Sequence, residues 1–259
     1  MESSSGNDSY LVHSFVGENL FGSPACVVLL HNWLSDVELK SIAKRNAVPE
    51  TAFVLLDNTG FAIRWFTPEI EMDLCGHATL AAAHVLFEEK RALDNFLIFK
   101  SASGNLEIQK EREILWMKFP IREAIPAECP GLILDAFSIK PKEILKARDY
   151  IFVYDSEAEI SKMIVNQEKL NTINIDPGGI CITSQGNSCD FVSRFFTPQA
   201  SIFEDPVTGS AHCSLVPYWS KRLNKNVLHA KQISEEGGEL FCKLTKENVV
   251  IGGKAVVSL

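Results

Sequence analysis

The chain repeats itself once, and that repeat limits what it can fold into. Arg64-Trp65-Phe66-Thr67-Pro68 returns half a chain later as Arg194-Phe195-Phe196-Thr197-Pro198. The first copy continues into Asp73-Leu74-Cys75-Gly76-His77-Ala78 and the second into Pro206-Val207-Thr208-Gly209-Ser210-Ala211. Each then enters an apolar stretch of helical length. In a chain of 259 residues this spacing is too long for a solenoid and fits two related domains. Pro120, Pro126 and Pro130 interrupt any regular element between the copies. The expected division is therefore residues 1–120 and 121–259.

Local patterning fills in those domains. Tyr10–Val16, Ala25–Leu30, Thr51–Leu56 and Phe61–Phe66 are short, β-branched or aromatic and bounded by turn residues, so they read as strands. Further strands are expected at Leu97–Lys100, Leu106–Gln109 and Ile114–Phe119, then at Tyr150–Val153, Ile180–Thr183, Phe191–Phe195, Gln232–Ser234, Leu240–Leu244 and Val249–Ile251. Ser35 is placed to cap a helix running to about Arg45, with Asp36 and Glu38 favourable for its dipole. Gly76–Glu89 is apolar around almost its whole circumference, and a helix of that kind must be enclosed by other structure. Gly209–Leu223 is similar, with Pro217 tolerable only at a kink or a lost hydrogen bond. Two domains, each a curled sheet around a central helix, satisfy this pattern.

Charge and cysteine usage exclude several functions. With 25 Lys+Arg against 33 Asp+Glu the net charge is −8, which gives no electrostatic grip on a nucleic acid. The apolar run Pro24–Leu30 is far too short to cross a bilayer, so no membrane role is expected. Residues 1–9 read as a frayed polar tail with no secretory signal, which makes the cytoplasm the expected location. Seven cysteines without a C-x-x-C pair read as reduced thiols. The nearest metal-like grouping is His212-Cys213, too few donors for zinc, so no metal is expected. No G-x-G-x-x-G, P-loop or H-E-x-x-H motif is present, and no cofactor is expected.

Several residues carry chemistry by placement. Gly76 and Gly209 each open a helix, where unpaired N–H groups make a site for a carboxylate, and glycine allows close approach. Glu50 follows Pro49 and precedes the apolar run Thr51–Leu56. At the edge of a buried strand its carboxyl would lose solvation and titrate higher, as a carbon acid/base requires; facing water, it is an ordinary loop glutamate. His77 at the second helical position is either a proton relay or a packing residue. Asp205 before Pro206 reads equally as an Asx-turn residue, and Glu204 beside it adds a like charge that would raise one of the two if both faced inward. Cys75 at a helix N-terminus would have a lowered pKa and be a reactive thiol, or else pack a strand end.

The segments FVGENLFGSPACVVLL at 15–30, PETAFV at 49–54, DLCGHATLAAAHVLF at 73–87 and EDPVTGSAHCSLVPYW at 204–219 resemble the phenazine-biosynthesis PhzF-like family, in order and over nearly the whole chain. The resemblance implies the α+β fold of diaminopimelate epimerase: two pseudo-symmetric domains of mostly antiparallel sheet, with an active-site cleft between them. It implies Glu50 as the catalytic acid/base, His77 and Asp205 as further active-site groups, and Ser210 with Gly76, Gly209 and Ser23 on the substrate. Two-thiol epimerases of this fold carry a cysteine before the glycine in each half. Here Cys75 is matched by Thr208, which disfavours a symmetric two-thiol racemase. Two departures stand out: the family's usual G-N-P is Gly22-Ser23-Pro24, and its S-R-R-G-G is Ser234-Glu235-Glu236-Gly237-Gly238. The expectation is a cofactor-independent isomerase of a small carboxylate-bearing, amino-acid-like metabolite; the oligomeric state is left open, a homodimer being one option. The alternatives are a lyase using Cys75 and a non-catalytic binding protein on the same fold.

Overall fold

A computed structural model describes residues 8–57, 60–92, 94–175, 178–198, 200 and 202–258. The chain divides into two compact units. The first holds the chain up to Val16, Gly22–Lys118 and the chain from Gly252; the second holds Gly17–Phe21 and Phe119–Ile251.

In the first unit, β1 (Ser9–Val16) pairs antiparallel with β2 (Ser23–Leu30). Helix α1 (Asp36–Asn46) starts at a reciprocal cap: Ser35 Oγ accepts from the Glu38 N–H, and the Glu38 carboxylate accepts from the Ser35 N–H. The helix returns the chain so that β3 (Glu50–Asp57) lies parallel to β2, with Ala25 beside Glu50. β4 (Gly60–Phe66) is antiparallel to β3, and β5 (Glu71–Met72) adds a short antiparallel step to β4. Helix α2 (Gly76–Glu88) follows, then β6 (Phe96–Ser101), parallel to β4, and the antiparallel strands β7 (Gly104–Glu111) and β8 (Ile114–Pro120). Nine residues of α2 are buried, on every face, and it packs on β1, β2 and β3. Its apolar circumference is the reason it sits inside the sheet while the amphipathic α1 packs on β3 and β4.

The second unit runs β9 (Ile125–Pro126), α3 (Gly131–Leu134), β10 (Glu143–Lys146), β11 (Tyr150–Val153), α4 (Glu157–Ser161), α5 (Gln167–Asn171), β12 (Ile180–Gln185), β13 (Phe191–Phe196) and β14 (Glu204–Asp205). A 3-10 turn at Gly209–Ala211 leads into α6 (His212–Leu223), then β15 (Val227–Gln232), β16 (Gly238–Leu244) and β17 (Asn248–Val257). The pairing order repeats that of the first unit. β10–β11 is antiparallel, β11–β12 parallel, β12–β13 and β13–β14 antiparallel, β13–β15 parallel and β15–β16 antiparallel. Phe137, Phe152 and Phe196 meet edge to face in its core. Pro217 lies inside α6 and cannot donate to the carbonyl one turn back; that carbonyl, of Cys213, instead accepts from the Arg122 N–H at 3.0 Å.

The structure adds elements the sequence reading lacks, among them β10, α4 and α5, puts Gly17–Phe21 in the second unit against the expected 1–120 domain, and departs from that reading further as follows. The apolar stretch from Gly209 starts as a 3-10 turn, not an α-helix. The strand expected at Gln232–Ser234 is Val227–Gln232; Ser234 is outside it because its hydroxyl bonds the Pro206 carbonyl and accepts from the Gly237 N–H. The strand expected at Val249–Ile251 continues to Val257, and from Gly252 it belongs to the first unit, against the expected 121–259 domain. There it pairs with β1, and it also pairs with β8, closing a ring of strands around α2. Gly252 and Gly253 permit this because a Cβ would stand 2.5 Å from the Trp116 ring and 2.3 Å from the Phe15 ring. Among the described residues no helix is long and apolar enough to cross a membrane.

Candidate active site

In the first unit the chemistry gathers where β3 begins and α2 begins. Ser14 and Ser23 face each other across β1 and β2, and Ser14 Oγ donates to the His77 carbonyl at 2.9 Å. That face of the sheet is therefore turned to α2. Alternation along β2 and the Ala25–Glu50 register put Ser23, Ala25 and Glu50 on the same face. Cys75 is the N-cap of α2, and Thr79 Oγ1 donates to its carbonyl at 2.6 Å, fixing the first turn. The N-cap makes no side-chain capping bond, and the first turn has no acidic residue to answer its dipole.

His77 Nε2 lies 3.0 Å from Glu50 Oε2, and Cys75 Sγ lies 3.7 Å from Nδ1 and 3.9 Å from Nε2 of the same ring. The Glu50 oxygen is buried and, despite this ion-pair distance, has no aligned hydrogen bond among the described residues. Burial opposes a charge on His77, but Cys75 and Glu50 outweigh it and hold the imidazole well above the usual histidine range. Burial pushes the Cys75 thiol up, with Glu50 adding to it and His77 opposing it. This corrects the lowered thiol expected at a helix N-terminus: enclosure outweighs the dipole. Glu50, Cys75 and His77 together offer one oxygen, one sulfur and one nitrogen within 4.8 Å of one another. Sequence spacing hid this donor set because Glu50 comes from a separate strand.

In the second unit Glu204 and Asp205 are neighbours on β14 and point to opposite faces. Glu204 is held by Arg194, with Nε–Oε1 and Nη2–Oε2 both at 2.7 Å. The pair is not the like-charged inward couple anticipated, because Arg194 neutralises Glu204. Arg64 and Glu71 form the same fork in the first unit, again at 2.7 Å twice. Asp205 Oδ1 accepts from the Val207 N–H at 3.3 Å and Oδ2 from the Thr208 hydroxyl at 2.7 Å. Gln232 Oε1 accepts from the Thr208 N–H at 2.8 Å, and Gln232 Nε2 donates to the Asp205 carbonyl. His212 Nδ1 lies 3.0 Å from the Thr208 carbonyl; burial lowers its pKa to about 4, so it is neutral and donates from Nδ1.

The structure thus brings Glu50, His77 and Cys75 together in one unit, and Asp205 and Thr208 in the other, with Ser210 half-buried in the Gly209–Ala211 turn. Ser23 is fully buried, its hydroxyl unbonded among the described residues, so it faces the site from beneath its surface. Gln232 and Ser14 were missed, and His212 was weighed only as a metal donor beside Cys213. Gln232 had a readable signal: it is the third inward position after Leu228 and Ala230, and a buried amide on an apolar face needs partners.

The sequence matches the phenazine biosynthesis-like (PhzC-PhzF) family over residues 12–259. The chain belongs to this PhzF-like family. It is 41% identical over 248 residues to an uncharacterized isomerase of Pseudomonas aeruginosa, covering 96% of this chain and 95% of that one. The crystal structure of a PhzF-family protein from Enterococcus faecalis is 40% identical, with a TM-score of 0.93 over 98% of this PhzF-like chain and 97% of the other. A hydroxyproline epimerase from Agrobacterium vitis, only 9% identical, has a TM-score of 0.63 over 98% and 91%, a likeness of fold alone. The epimerase-like α+β fold implied by the sequence motifs is the fold of this PhzF-like protein.

Proposed function

We propose that this protein is a cofactor-independent isomerase that removes a proton from carbon in a small carboxylate-bearing, amino-acid-like metabolite and returns it at carbon. The observation that supports this best is the contact between Glu50 Oε2 and His77 Nε2 at 3.0 Å. The oxygen is sheltered from water yet not held by an aligned hydrogen bond, so it can accept a proton. His77, kept cationic, stabilises negative charge developing beside it. The uncapped N–H groups at Gly76 offer a seat for the substrate carboxylate. In this reading Ser23 supports the face that carries Glu50, and Asp205, Ser210 and Gly209 are the second unit's own candidate polar groups. The upward shift of the Cys75 thiol disfavours elimination through a thiolate. The P. aeruginosa relative bears the name isomerase, which fits the reading.

Solvent-deuterium exchange into a panel of amino acids and unsaturated acids tests the proposal. Exchange at one carbon that disappears in Glu50→Gln is expected. No exchange across the panel, or exchange undiminished in Glu50→Gln, overturns it, and loss confined to Cys75→Ala moves the chemistry to the thiol.

A further inference from the structure

We infer that Glu50, Cys75 and His77 also form a site for one thiophilic divalent cation, a ligand the proposed reaction does not use. The donor oxygen, sulfur and nitrogen lie within 4.8 Å of one another. Zinc binds carboxylate oxygen and imidazole nitrogen at about 2.0–2.2 Å and thiolate sulfur at about 2.3 Å, so tetrahedral donors stand about 3.3–3.6 Å apart. At the one nitrogen that also faces Glu50, Nε2, the Glu50 separation of 3.0 Å and the Cys75 separation of 3.9 Å stand on either side of that range.

The surroundings favour such an ion. Cys75 and His77 are set by the start of α2, which Thr79 and Ser14 tie down. Glu50 Oε2 has no aligned hydrogen bond among the described residues that an ion would need to displace. Binding balances as one dication taken up and the thiol proton of Cys75, with any proton on the ligating His77 nitrogen, released. Thiolate and carboxylate then cancel the charge of the ion in a buried place, where an uncompensated charge is costly. A sulfur, nitrogen and oxygen set selects zinc or cobalt over magnesium and calcium, which prefer oxygen alone. Three protein donors leave a fourth position open, on the side where the Glu50 side chain is 17% exposed. If the isomerase reading holds, the ion occupies its acid/base and inhibits it; the binding itself does not rest on that reading.

The test titrates cobalt(II) into chelator-treated protein and follows the thiolate-to-cobalt charge-transfer absorption, then competes with zinc. One equivalent is expected, with proton release on binding in weakly buffered solution. The band is expected to vanish in Cys75→Ala, and affinity to fall by about tenfold or more in Glu50→Gln with the band retained. No band, or a band that persists in Cys75→Ala through another cysteine, overturns the site. Should Cys75→Ala not fold, unchanged affinity in Glu50→Gln overturns it instead. Stoichiometric binding in a protein that exchanges no panel compound sinks the isomerase reading and leaves the cation site standing.

Discussion

Gly179 holds in the second unit the place that Glu50 holds in the first. Thr51 lies opposite Phe66 and Ile180 opposite Phe196, the matching phenylalanines of the repeat, and the residue before each is Glu50 or Gly179. A Cβ at Gly179 would stand 2.4 Å from the Phe195 ring and 2.8 Å from the Phe196 carbonyl. Glu50 therefore has no carboxylate counterpart at the matching position of the second copy, and the proposed chemistry is a one-base chemistry. Gly179→Ala is expected to destabilise the protein by about 1–3 kcal/mol through overpacking. Urea unfolding measures this, and an unchanged midpoint would mean Phe195 yields without cost.

Removal of the Glu50 carboxylate should be felt in rate rather than fold. Glu50→Gln keeps shape and loses the proton acceptor, so exchange is expected to fall by about 10²–10⁴-fold, the usual worth of a general base. Far-ultraviolet circular dichroism of the variant should match the parent.

His77 links the site to pH. Its pKa is raised in the folded protein by Cys75 and Glu50, so the folded chain holds that proton more tightly than the unfolded chain. The stabilisation is complete below about pH 6.5, the unperturbed histidine value, and is lost as pH rises through the raised folded value. Urea midpoints of the parent should decline relative to those of His77→Gln as pH rises above neutrality. Parallel pH profiles would contradict the ion pair.

The two arginine forks offer an internal comparison. Arg194 and Glu204 are 16% and 24% exposed, and Arg194 Nη1 also donates to the Ile160 and Met163 carbonyls. Arg194→Leu leaves a half-buried carboxylate and two carbonyls without their donor, and is expected to cost about 2–4 kcal/mol. Arg64 pairs with the more exposed Glu71 and Asp36, and Arg64→Leu should cost no more than about 1 kcal/mol. Thermal or urea unfolding of the two variants decides it, and equal losses would refute the distinction.

What could be read from the sequence was what depends on neighbours along the chain. The cap at Ser35, the enclosed α2 and the pairing of Cys75 with Thr208 by repeat all came from local pattern. The Glu50–His77 contact did not, since register between β2 and β3 brings Glu50 to α2; only the family motif pointed to it. Of the two readings of Cys75 the enclosed one holds, because the dipole argument assumes a thiol in reach of water and burial reverses the shift. The sequence reading ends the last strand at Ile251, before Gly252-Gly253. In the fold it is the close approach to Trp116 and Phe15 that lets β17 continue.

His212 stands where Thr79 stands in the first copy, three residues after the helix-opening glycine. Both side chains do one job, donating to the N-cap carbonyl: Thr79 to Cys75 at 2.6 Å, His212 to Thr208 at 3.0 Å. The histidine brings a proton equilibrium that the threonine lacks. Burial lowers its pKa to about 4, so the folded chain resists a proton that the unfolded chain accepts. Its contribution is whole above about pH 6.5 and is lost as pH falls toward 4, a change of about 3 kcal/mol. His212→Thr installs the first copy's solution. It should be less stable than the parent near neutrality because the smaller side chain leaves a cavity beside Phe191. Between pH 6.5 and 4 it should lose less stability than the parent, since the carboxylates common to both chains titrate alike. Urea midpoints across that range test this, and equal acid losses in the two proteins would show that His212 is protonated in the fold.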